Sequence, residues 1–139
     1  MGIKFDLSNW QKLGHAIPLL ANCQPAGEYL MESFYRAGGI PAVMKELMKH
    51  KKIHTNIMTV SGKNVGQNLK RKIDVDRSVI KTFKECLTEK AGFLVMKSNF
   101  FSTAVMKTSV ISKEFRERFL SDPKKPNVFT GKSVVFEGP

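Results

Sequence analysis

Two adjacent glycines, Gly38 and Gly39, separate two apolar helical patterns, and Pro41 follows directly behind them. Paired glycines reach the left-handed backbone region at little cost and close a helix, while proline suits the first turn of the next one. Residues 22–47, NCQPAGEYLMESFYRAGGIPAVMKEL, therefore read as turn, helix, turn, helix. Pro25 has a fixed φ and no N–H, which predicts a helix start at that point. Glu28 would then lie in the first turn, where the helix dipole favours an acid. Leu30, Met31, Phe34 and Tyr35 recur at helical spacing in the first helix, and Val43, Met44, Leu47 and Met48 in the second. Two helices this short cannot bury their joint apolar face alone, so the stretch belongs to a larger core.

A core is affordable: 42% of the 139 residues are apolar and 9% aromatic, which excludes disorder throughout and allows one ordinary domain. The formal charge of +11 is uneven. Between Lys45 and Lys72 lie Lys49, Lys51, Lys52, Lys63, Lys70 and Arg71, against the single acid Glu46. Such a patch could hold nucleic acid, anionic lipid or an acidic partner by counterion release. The plainer reading is a solvated helix end and loop, and no aromatic residue interleaves the bases.

Cys23 and Cys86 are the only cysteines and lack a CxxC partner, so this chain cannot by itself enclose a thiolate cluster. His15, His50 and His54 do not supply the missing ligands. His50 and His54 have helical spacing, but Lys51 and Lys52 between them mark a helix end and a surface pair. No apolar run is long enough to span a bilayer and no signal-peptide pattern opens the sequence, which leads to the expectation of a soluble, reducing, cytoplasmic setting.

Taken in order, Ser8 with Gln11 predicts a capping box before a helix holding Trp10 and Leu13, stopped by Gly14. Residues 17–21 and 57–60 are short strand candidates. Residues 59–69, TVSGKNVGQNL, bring Gly62, Lys63 and Gly66 together ahead of a helix, but the glycine needed four residues before a Gly-Lys-Ser/Thr triplet is absent. A helix-opening turn is the better reading. Residues 70–89 carry the weakest structural signal and a candidate domain boundary. Beyond it, residues 93–96, 104–106 and 133–136 read as strands, and Ser112 caps a helix over residues 113–120 with Phe115 and Phe119 on its apolar face. The prolines of residues 121–127 mark a loop.

Catalytic constellations are missing. Glu28 and Glu32 are spaced as a pair on one helix face, yet nothing near them would separate their pKa values, so they read as solvated acids. No Ser/His/Asp or Cys/His arrangement is supported, and Cys86 reads as a half-buried small hydrophobe. No residue is assigned a catalytic, cofactor-binding or metal-binding role.

Four phrases nevertheless occur in a recognisable order: GHAIPLLANCQPAGEYLMESFYRAGGIPAVMKEL, TVSGKNVGQNL, KAGFLVMKSNFFSTAVMKTSVISKEFRERFL and FTGKSVVFEGP. Together they resemble an interior slice of the dihydroxy-acid and sugar-acid dehydratases, with the arabinonate dehydratase type the nearest branch. The resemblance implies an α/β (mixed) fold: residues 1–75 as the end of an α/β amino-terminal domain, and residues 76–139 as the first strands of a β-barrel-like carboxy-terminal domain. It further implies a fragment, inactive alone, of a longer and oligomeric iron-sulfur hydro-lyase.

The parent would convert sugar acids or 2,3-dihydroxy acids to 2-keto-3-deoxy acids, with a base at C2 and with an iron-sulfur cluster and Mg2+ as Lewis acids. The family's cluster cysteines would lie upstream, and its serine base downstream in a phrase this sequence lacks. Cys23 does not match a cluster ligand. The phrase at Lys97, Ser98 and Asn99 departs from the family's glycine-asparagine, placing Ser98 where glycine is usual. The alternative is a non-catalytic basic module that contacts nucleic acid or an acidic partner through Lys45 to Lys72. In the fragment reading nucleic acid is not a partner; the partner is the remainder of the parent enzyme, and each half of the chain should expose apolar surface that the remainder covers.

Overall fold

Asp6, not Ser8, opens the first helix. The computed structural model describes residues 2, 4–97, 99–100, 102–119, 124 and 131–138, and α1 spans Leu7–Gly14. The Asp6 carboxylate accepts hydrogen bonds from the amides of Ser8 at 2.7 Å and Asn9 at 3.2 Å. A charged acceptor ahead of the helix outcompetes the expected capping box, because it meets both the free amides and the helix dipole. Gln11 is thereby released for a tertiary role: its Oε1 accepts from the amide of Val95 at 2.9 Å. Gly14 ends the helix as expected.

Three further helices follow: α2 over Met31–Arg36, α3 over Gly39–Lys49 and α4 over Val65–Asn68. The glycine pair performs the turn the sequence assigned to it, with φ of +108° at Gly38 and +57° at Gly39. At Gly38 a Cβ would also come within 3.0 Å of the Asp74 carbonyl oxygen, so the position demands glycine twice over. Pro41 sits inside the first turn of α3, which begins two residues earlier than Pro41 alone suggests.

The antiparallel pair β1 (Phe93–Met96) and β2 (Ala104–Lys107) forms where two strands were expected, with Val95 opposite Val105. Trp10 meets Phe93 edge to face with ring centroids 5.2 Å apart, fastening α1 to this sheet. A short 3-10 turn over Thr108–Val110 leads to α5 (Lys113–Phe119), where the Ser112 hydroxyl accepts from the Phe115 amide at 3.1 Å. Phe115 and Phe119 pack with centroids 4.8 Å apart. The fold is thus mixed α/β.

Three expected strands are not formed. Residues 131–138 contain no helix or strand, and Val134, Val135 and Phe136 are exposed. An apolar alternation becomes a strand only beside a partner, and the described residues offer none there. Residues 57–60 make a single bridge, Met58 with Asn64, because Gly62 turns the chain back at once. The loop expected over residues 121–127 lies outside the described residues apart from Lys124.

Residues 17–21 run extended without joining a regular sheet. Leu20 O accepts from the Lys81 amide at 2.8 Å and Leu19 O from the Leu87 amide at 3.0 Å, while Ala21 bridges Ile80. The segment around residue 80 therefore has its backbone groups satisfied without helix or strand. It is also the core: fully buried Ile80, with Val79, packs against Cys23, Ala37 and Ala42. Weak periodicity concealed Ile80, the most buried side chain among the described residues.

Apolar surface is left open at Leu30, Met31, Tyr35 and Ile40, residues that helical spacing had assigned to burial or left unassigned. A fold fastened by so few buried residues should respond sharply to added bulk. A Cβ on Gly92 would lie 2.2 Å from the Gly14 carbonyl oxygen, at the join of α1 and β1. Gly92→Ala is expected to cost ~1–3 kcal/mol, read as a lower urea midpoint by circular dichroism, and an unchanged midpoint would contradict this packing.

Candidate functional site

Asn22 is buried and holds three segments together. Its Nδ2 donates to the Ser78 carbonyl oxygen at 3.2 Å, its Oδ1 accepts from the Glu28 amide at 3.0 Å, and its own amide donates to Val79 O at 2.8 Å. Gln24 N and Tyr29 N complete the turn by donating to Tyr29 O and Asn22 O, respectively. Side-chain bonding of this kind offers the backbone an alternative to helix. Pro25 therefore lies in a loop, and α2 starts only at Met31 behind Leu30. Glu28 precedes the helix, so it does not share a helix face with Glu32. Glu32 instead pairs with Arg36 at 2.8 Å on the surface.

The charged centre that sequence reasoning passed over is Glu46. It is 3% exposed, on the face of α3 turned toward residues 77–83. Lys49 Nζ and Arg77 Nη1 each lie 3.4 Å from its Oε2, and His50 Nε2 is 3.7 Å from its Oε1, which also accepts from the Phe83 amide at 3.4 Å. Burial pushes the Glu46 carboxyl up, but the Lys49 charge and hydrogen bond, the Phe83 N–H and the Arg77 charge together outweigh it and hold the group below its ordinary value. The one available signal was its position as the lone acid among the bases from Lys45 to Lys72. An acid so engaged is an anchor, with its lone pairs spent on fixing α3 to the following segment. His50 adds to the join by stacking on Phe83, with ring centroids 3.9 Å apart. His54 is exposed beyond the end of α3, so the two histidines do not share a helix face.

Asn64 and Gln67 cap α4 reciprocally, at 2.8 Å and 2.9 Å. The turn after Gly62 thus spends its helix-opening amides on its own side chains, as a helix-opening turn does. Lys63 is exposed. Cys23 is buried, and burial pushes its thiol up and away from the thiolate that binds metals. Cys86 is half-buried, in keeping with the small-hydrophobe reading. Among the described residues no group of three or more His, Cys, Asp or Glu side chains could hold a metal ion. The described residues do not fit an iron-sulfur cluster or Mg2+. Among the described residues no helix is long and apolar enough to cross a membrane.

Comparison with known proteins bears on the same residues. The family pattern described as dihydroxy-acid/6-phosphogluconate dehydratase N-terminal matches residues 1–68. A D-xylonate dehydratase of Caulobacter vibrioides is 47% identical over 137 residues, which is 99% of this chain and 23% of the relative. An L-arabinonate dehydratase of Rhizobium leguminosarum is 33% identical over 138 residues, covering 99% of this chain and 22% of its own. A dihydroxy-acid dehydratase of Caldicellulosiruptor saccharolyticus is 36% identical over 139 residues and 24% of its length. The chain thus spans about a quarter of the length of these relatives. Of the two sugar-acid relatives, the xylonate enzyme is the more similar.

The Glu46 anchor has a testable pH signature. Its folded pKa lies below its ordinary value of 4.5, so its contribution to stability is fully present above that value and is lost as pH falls through the lower folded one. Glu46→Gln should lower stability by ~1–3 kcal/mol near neutral pH. The gap to the unaltered chain should close as the solution is made acid. Urea midpoints that differ equally at all pH values would show that the carboxylate is not the anchoring group.

Proposed function

Since the chain belongs to the dihydroxy-acid/6-phosphogluconate dehydratase family, we propose that it is a scaffold portion of a hydro-lyase acting on sugar acids or 2,3-dihydroxy acids. The observation that carries the proposal is the 47% identity to a D-xylonate dehydratase, sustained over 99% of this chain. The reaction removes the C2 proton and the C3 hydroxyl, and the resulting enol relaxes to a 2-keto-3-deoxy acid. Buried Asn22 and Glu46 are both committed to holding the fold, which supports placing the reactive groups on the rest of a longer parent enzyme. In this reading the iron-sulfur cluster and Mg2+ are also held there, and the parent is a cytoplasmic homo-oligomer.

We place the domain division near residue 76. The family pattern for the amino-terminal part ends at residue 68, and the antiparallel pair β1–β2 lies beyond it. On this reading residues 1–75 end the amino-terminal domain and residues 76–139 begin a β-rich, barrel-like one. Core contacts cross the division, since Ile73 and Val75 pack on the same cluster as Val79 and Ile80. The reading as a stand-alone basic module is not favoured, because dehydratase identity runs through residues 45–72 as well.

Incubating the purified chain with D-xylonate and L-arabinonate tests the proposal. No keto acid should form, and the protein should be colourless, without visible iron-sulfur absorption. Keto-acid formation by this chain alone would overturn the assignment of the reactive groups elsewhere.

A further inference from the structure

Helices α2 and α3 meet at the glycine turn and leave an open groove of about 730 Å³ between α2, the start of α3 and residues 71–73. Its floor is apolar: Met31 is 64% exposed, Ile40 65% and Tyr35 81%, with Phe34 half-buried beneath them. Its rim carries Arg71 and Lys72, and among the described residues no acid lines it. The nearest acid on α2, Glu32, is already engaged by Arg36. The only acid from Lys45 to Lys72, Glu46, is buried and cannot offset the positive surface from outside.

We propose that this groove seats an acidic amphipathic segment supplied by the further polypeptide of the same enzyme. This rests on the scaffold reading above. Apolar side chains repeated along one helix face would fill the floor, while flanking carboxylates meet Arg71 and Lys72. A second copy of this chain is opposed by its formal charge of +11. Length supports the choice of occupant, because this chain spans only 23% of the xylonate relative and leaves most of that polypeptide to supply it.

The test uses the whole chain, titrated with overlapping peptides of about 20 residues, roughly five helical turns. They are drawn from the part of the Caulobacter D-xylonate dehydratase that this chain does not cover. The peptides that bind should carry an apolar row flanked by Asp or Glu. Their affinity should fall about ten-fold when Arg71→Glu and Lys72→Glu are combined, and also for Ile40→Ser, with the circular dichroism of the chain unchanged. Equal binding of basic and acidic peptides, indifference to these substitutions, self-association without peptide, or no binding by a helical chain would each overturn the proposal. So would a chain lacking helical circular dichroism, since the groove needs α2 and α3 formed. Failure of the peptides leaves the dehydratase scaffold standing, whereas keto-acid formation by the chain alone would remove that reading and leave the groove.

Discussion

The structure depends on one small contact, Ile80 and Val79 against Ala37, Ala42 and Cys23. Ala37 and Ala42 flank the glycine turn, so their closeness follows from the left-handed backbone at Gly38 and Gly39. Small side chains there let the 79–80 segment lie close against the helix pair, and burial of Ile80 then holds residues distant in sequence in place. Its neighbours keep this segment in position without a helix or a sheet of its own.

Two polar groups do that positioning. Asn22 satisfies the Glu28 amide in the loop before α2 and the Ser78 carbonyl, pairing two backbone groups where these segments meet. Glu46 works from the other side, drawing Arg77 and the Phe83 amide toward α3. A buried carboxylate is tolerable because cations and an N–H meet it on both oxygens. The same commitment removes both residues from the stock of free acids and amides that catalysis would need. This agrees with the scaffold role proposed above.

Surface and core are divided unusually. The apolar row of α2 faces outward at Met31 and Tyr35, whereas α3 turns Ala42 and Glu46 inward and leaves Val43, Met44, Leu47 and Met48 half-buried. Helical periodicity locates an apolar face but does not say which molecule or segment will cover it. For α3 the cover is partly within the chain; for α2 the described residues leave Met31 and Tyr35 exposed.

Local chemistry was decisive wherever neighbours in sequence are neighbours in space. The glycine turn, the Ser112 cap, the helix-opening turn at Asn64 and the paired strands β1 and β2 all follow from side chains a few residues apart or from strong apolar runs. The order of phrases was enough to place the chain among the dehydratases. Tertiary structure decided what depends on distant partners: the burial of residues 79–80, the release of Gln11 to Val95, the anchoring of Glu46, and the failure of residues 133–136 to become a strand. The physical reason is common to all four: burial and backbone pairing are settled between segments, and a sequence read along its length records the residues but not the segment that will meet them.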